Sequence, residues 1–156
     1  MKVALGSDKS GFALKEAIRQ YLTGNGIEFD DLGTVDPAEP KGYFGVAPLV
    51  AGRVQSGEYD RAILICGTGA GMSIVANKYK GVYAVACESV YAARMARAIN
   101  DAQILCMGGW IVAPEMGVKM AEAFLTTDWL QDLEDWRKAW LTSASATVCE
   151  LEETLF

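Results

Sequence analysis

Cys66 ends an apolar run and opens "CGTGAG" (Cys66–Gly71), which sets a thiol directly before a threonine hydroxyl and a spread of glycines. Small residues that open a helix leave first-turn N–H groups unpaired, beside the positive end of the helix dipole. On this reading the amides of Gly69, Ala70 and Gly71 form a nest for an oxyanion, with Gly67 at its start. The same field favours thiolate over thiol at Cys66, and Thr68 is within reach to pass a proton. A thiolate beside an oxyanion hole suits proton abstraction next to a carbonyl, giving an enediolate. Taken alone, Cys66 also reads as a small buried core residue.

Other chemistries fit less well. Gly67, Gly69 and Gly71 are one residue too tight for a dinucleotide fingerprint and follow the third strand, not the first; no G-K-[ST] phosphate loop is present. Cys87 and Cys106 also fall at strand ends but have no metal-ligand spacing, so they read as core residues. The chain contains no histidine. That excludes an imidazole base, a Ser-His-Asp triad and histidine-containing zinc sites. Acid–base work is left to Cys, Asp, Glu, Lys, Tyr or water.

Composition narrows the setting. The net charge of −6 argues against nucleic acid as a partner. Apolar runs are far short of the roughly 18 residues needed to span a membrane, and "MKVALGSD" has no signal-peptide core. Four cysteines without a C-x-x-C pair point to a reducing cytoplasm and not to a disulfide framework. At 156 residues, 51% of them apolar, the chain reads as one domain with a real core.

The elements that must position Cys66 alternate. "KVALGS" (Lys2–Ser7) reads as a buried strand, followed by a helix with Leu14, Ile18, Tyr21 and Leu22 on one face. "GNG" stops it before a second strand over Ile27–Gly33, and a proline-rich acidic loop leads to a helix near "FGVAPLVAGRVQSG". "RAILICG" (Arg61–Gly67) is continuously apolar, as a central parallel strand should be. A helix over Gly69–Lys80, a strand over Val82–Glu88, a helix over Ser89–Asn100, a strand over Ala102–Gly109 and a helix over Pro114–Leu125 complete the order. The pattern predicts an α/β three-layer sandwich: a five-stranded parallel sheet with helices on both faces.

Leu133, Trp136, Trp140, Ala144, Val148, Leu151 and Leu155 then make an apolar stripe, on a helix of roughly 35 Å at 1.5 Å per residue. This extension, about residues 127–156, either packs on its own domain or docks on a second subunit. Its place after a complete sheet, with large aromatics, favours the second.

Ligands of open parallel sheets bind outside the carboxyl ends of the strands. That rule groups Asp8 and Lys9 with Cys66 and the glycine loop, although Asp8 also reads as a helix cap and Lys9 as a solvated charge. Asn100 leads into the fifth strand, and so lies at the opposite edge unless its loop folds over the site.

"GSDKSGFALKEAI", "DLGT", "ILICGTGAGMSIVANK" and "INDAQILCMGGWIVAPE" together resemble the ribose-5-phosphate isomerase B / galactose-6-phosphate isomerase family, over about residues 1–126. The resemblance implies a Rossmann-like fold, a homodimer or dimer of dimers with composite sites, no metal or other cofactor, and aldose–ketose isomerisation through a cis-enediol. It implies Cys66 as the base, Thr68 as the hydroxyl that shuttles the O1/O2 proton, and the Gly67–Gly71 amides as the anion hole. It further implies that Asp8 contacts sugar hydroxyls, that Tyr43 lines the pocket, and that the loop of Asn100 reaches the site.

Three positions depart from the family pattern. Lys9 and Ile99 stand where the family has histidines, and Trp110 where it has the arginine that helps hold a substrate phosphate. Isoleucine moves no protons and tryptophan pairs with no phosphate. Arg137 and Lys138 on the last helix are candidates to replace some of that charge, in some cases from a partner subunit, or are surface residues. The enediol machinery is thus expected intact on a small sugar or sugar phosphate that is open-chain or opens readily. The alternative is a non-catalytic sugar-binding or heteromeric subunit.

Overall fold

Strands β1 (Lys2–Ser7), β2 (Glu28–Asp31), β3 (Arg61–Cys66), β4 (Ala84–Ala86) and β5 (Ile104–Gly108) alternate with helices in the computed structural model, which describes all 156 residues. The helices are α1 (Phe12–Gly24), α2 (Tyr43–Gln55), α3 (Ala70–Ala76), α4 (Val90–Ala98), α5 (Pro114–Thr126) and α6 (Asp135–Leu155). All strands pair in parallel, in the order β2-β1-β3-β5-β4. The expected five-stranded parallel sheet is therefore present. No helix is long and apolar enough to cross a membrane.

Side chains alternate between the two faces of the sheet. Val3, Leu5, Ile63, Ile65, Leu105 and Met107 form one core with Leu14, Ile18 and Leu22 of α1, Ala93 and Ala96 of α4, and Met120 and Phe124 of α5. Ala4, Ala62, Leu64, Cys66, Ile104 and Cys106 form the other with Val46 and Val50 of α2 and Met72 of α3. Cys66 is thus the last inward residue of β3 on the α2/α3 face. Because β1 lies between β2 and β3, the chain reverses direction across the sheet there. The switch point falls between the carboxyl ends of β1 and β3, the place where such sheets bind ligands.

The edge strand β4 is shorter than the expected Val82–Glu88, and α3 stops at Ala76, short of Lys80. The residue after α3 meets the first residue of β4. The Asn77 side chain accepts the Ala84 N–H at 2.9 Å and donates to the Ala84 carbonyl at 2.7 Å. It stands in for a neighbouring strand and blunts the exposed edge at that point.

The last helix begins at Asp135, close to the expected Leu133, but only Leu141 is buried along it. Trp136 is 66% exposed and Trp140 64%. Its carboxyl end is pinned to the β4 edge: Glu152 accepts the Gly81 N–H and the Tyr83 O–H, each at 3.0 Å, and Lys80 pairs with Glu153 at 2.7 Å.

Candidate active site

The thiol of Cys66 is held by its own loop. Gly69 adopts φ +80°, a left-handed conformation that folds the chain back over the strand end, and its N–H donates to the Cys66 sulfur at 3.2 Å. A Cβ at Gly69 would also approach the Met107 backbone to 3.0 Å, so the turn is closed to other residues on two counts. An N–H aimed at sulfur stabilises negative charge there.

The nest differs from the sequence expectation at two of its donors, Gly69 and Ala70. The amide of Gly69 is taken by the thiol, and that of Ala70 points to Thr68 Oγ1 at 3.4 Å. The loop amides with no protein partner are those of Gly67, Thr68, Gly71 and Met72. The left-handed turn engages the two middle donors and leaves open amides on either side of it, before the turn and in the first turn of α3. Thr68 itself is exposed.

Asp8 sits at the end of β1, where its N–H donates to the Ile65 carbonyl of β3 at 3.1 Å. Its Oδ1 accepts the Gly11 N–H at 3.1 Å, so one carboxylate oxygen does cap the turn into α1, while Oδ2 has no protein partner. Lys9 follows it, exposed and without an ion pair. On the other side the Trp110 N–H donates to the Gly67 carbonyl at 3.0 Å, and the indole ring lies against Gly67. Tyr43, the first residue of α2, lies against Gly71 and meets Phe44 edge-on at 5.5 Å. The chain thus brings Asp8, Lys9, Cys66, Thr68, the Gly67–Gly71 loop, Tyr43 and Trp110 to one end of the sheet.

Asn100, Arg137 and Lys138 are not part of that group. Asn100 and Ile99 line a cavity of about 570 Å³ between α6 and the β4 edge, with Tyr83, Trp140 and Val148. Arg137 pairs with Glu134 at 3.4 Å and stacks on Trp136. Within one chain, these residues serve a different surface from Cys66.

The other cysteines differ in setting. Burial pushes the Cys87 thiol up to about 11, and pushes the fully buried Cys106 well above its ordinary value. Both remain thiols at neutral pH, as core residues should. The sequence reading missed one charged group behind the site, Lys15, which is completely buried. Its spacing to Ile18 and Leu22 on the apolar face of α1 is the signal that places it inward.

A five-stranded parallel sheet between helical layers, with a loop-held thiol at its carboxyl end, is a Rossmann-like α/β fold. Residues 3–139 match the family model described as Ribose/Galactose Isomerase, and the chain belongs to that family. It is an intramolecular oxidoreductase, a sugar isomerase. It is 58% identical to the 4-deoxy-4-sulfo-D-erythrose isomerase of Clostridium sp. (strain MSTE9), over 100% of this chain and 98% of that one. It is 40% identical to D-erythrulose-4-phosphate isomerase 2 of Mycolicibacterium smegmatis, over 83% of this chain and 84% of that one. Its structure is similar to that of Clostridium thermocellum ribose-5-phosphate isomerase B, with a TM-score of 0.89 at 35% identity and full coverage of both chains.

Proposed function

We propose that the protein interconverts an open-chain four-carbon aldose and its ketose, the substrate carrying an anionic group at C4. The observation that carries this is the absence of histidine, with Ile99 where a ring-opening group would stand. A sugar of four carbons closes a five-membered ring only through the oxygen on C4. Replacing that hydroxyl by a sulfonate, or blocking it as a phosphate ester, leaves no ring to open. The 58% and 40% identical relatives are named for a four-carbon sulfosugar and a four-carbon ketose phosphate respectively.

Cys66, as thiolate, removes the proton from C2 of the aldose, and electrons move onto the carbonyl oxygen to give the cis-enediolate. The open amides of Gly71 and Met72 supply N–H donors for that oxyanion, in the role the Gly67–Gly71 loop plays in the family pattern. Thr68 moves a proton between O1 and O2, and Cys66 returns its proton to C1. Asp8 Oδ2 accepts from a substrate hydroxyl, while Tyr43 and Trp110 wall the pocket.

The C4 group pairs with Lys9. A phosphate ester carries about −1.5 to −2 charge at pH 7, whereas a sulfonate carries a single charge.

Asn100 enters from a second copy in a homodimer or dimer of dimers, with Arg137 and Lys138 of the partner as further cations. The exposed tryptophans of α6 and the separation of Asn100 from Cys66 support that assembly. Three buried free thiols and one exposed one suit a reducing, cytoplasmic setting.

Deuterium exchange from solvent into 4-deoxy-4-sulfo-D-erythrose, D-erythrose 4-phosphate and ribose 5-phosphate, followed by NMR, tests the reading. Exchange at C1 or C2 should be fastest with the sulfosugar and slow with ribose 5-phosphate. Ordinary rates on ribose 5-phosphate overturn it.

A further inference from the structure

We propose that Lys15, which touches neither the thiol nor the glycine loop, is a positioning residue for the pocket. It holds the loop between β2 and α2 so that Tyr43 lies over Gly71. The inference rests on the reading of Tyr43 as a pocket wall.

Lys15 is fully buried on α1. Its ammonium donates to the Asp31 carboxylate and, at 2.6 Å, to the Thr34 carbonyl, with Glu16 at 3.4 Å and the Phe12 ring centroid at 5.0 Å. Asp31 is the last residue of β2, and its second oxygen takes the Gly33 N–H at 3.1 Å. Thr34, also fully buried, donates its N–H to the Ser7 carbonyl at 2.8 Å, and its hydroxyl accepts the Lys41 N–H at 3.0 Å. Gly33 presses so closely on β1 that a Cβ there would fall 2.2 Å from the Ser7 nitrogen. One ammonium therefore closes the start of the loop onto β1, and Thr34 closes its far end, two residues before Tyr43.

The fold alone does not call for a charge at this point. Replacing a buried ion pair with apolar side chains of similar volume is often neutral or stabilising. What the ammonium adds is direction: it ties a carboxylate and a carbonyl of the same loop into one geometry, and an apolar side chain has no such preference. The loop in turn sets where the first residue of α2 enters the crevice.

The test compares Lys15→Met, Lys15→Arg, Thr34→Val and Tyr43→Ala, singly and with Tyr43→Ala combined, by thermal melts and steady-state kinetics. The probe is 4-deoxy-4-sulfo-D-erythrose, or ribose 5-phosphate if the four-carbon reading fails. Lys15→Met and Thr34→Val should lower kcat/KM about 10- to 100-fold, mainly through KM, as a displaced pocket wall does. Lys15→Arg should recover part of the loss. Adding Tyr43→Ala to either variant should cost little more, because the residues act through one element. If Lys15→Met does not fold, Thr34→Val, which keeps the ammonium and removes only the far clip, decides. Fold-losses that multiply with Tyr43→Ala, or wild-type KM in Thr34→Val, overturn the role of Lys15 alone. Wild-type KM in Tyr43→Ala overturns the reading of Tyr43 and this inference with it.

Discussion

The indole of Trp110 lies so close to Gly67 that a Cβ on the glycine would come within 2.7 Å of the ring. The contact couples the residue after the thiol to the aromatic wall of the crevice. Since Trp110 is 74% exposed, its ring has room to swing away without disturbing the core. Gly67→Ala should therefore fold normally yet lower kcat/KM about 10-fold by displacing the wall. Trp110→Arg, measured against both four-carbon substrates, should shift selectivity toward the phosphate about 10-fold, through a charge-assisted hydrogen bond worth about 1.5–3 kcal/mol. Unchanged selectivity would remove Trp110 from the anion subsite.

Cys66→Ala should lower kcat by about 10²- to 10⁴-fold, the range that a positioned acid–base group contributes. Substrate binding, followed by calorimetry, should survive, because the Asp8, Lys9 and amide contacts remain. Exchange of the C2 proton at wild-type rate in this variant would show that another group is the base.

Lys9→Met should raise KM about 10-fold or more for C4-anionic substrates, since it removes the charge that faces them. With neutral erythrulose, which has no C4 anion, the same variant should behave like wild type. A uniform loss on both would mean that Lys9 supports the turn into α1 and does not bind the anion.

Alkaline pH should destabilise the fold. The Cys87 thiol ionises near 9.0 when unfolded and near 11 when buried, so the folded state holds its proton more tightly. That contribution is complete below pH 9 and is lost between pH 9 and 11, roughly 2–3 kcal/mol from this residue. Cys106 and Tyr83 act in the same direction, the first through burial and the second through burial and its bond to Glu152. Denaturant melts from pH 8 to 11 should show the decline, and Cys87→Ala should flatten it. A flat wild-type profile would contradict the assignment.

Much of the site was legible along the chain because its parts are local. Cys66 ends a continuously apolar strand, and the glycines that follow it are consecutive with the turn they build. Asp8 and Lys9 follow another strand, so the strand-end rule groups all of them without a structure. Two of the amides expected to be open are engaged, because the donor count depends on the left-handed turn at Gly69 and on what its N–H meets. The pairing of Asn77 with Ala84, which joins the end of α3 to the start of β4, likewise spans a separation that periodicity does not record.

The class of fold, the thiol with its loop and the lack of histidine could all be read along the chain. Each of these is a matter of residue type and near-neighbour spacing. Only the tertiary structure decided which aromatic covers which glycine, that Asn100 lies at the other end of the sheet from Cys66, and that Lys15 is buried under the loop leading to Tyr43. Those relationships are set by strand order and by side chains meeting across elements. Contacts of that kind carry the energy of packing and of buried hydrogen bonds, and they leave no period in the sequence.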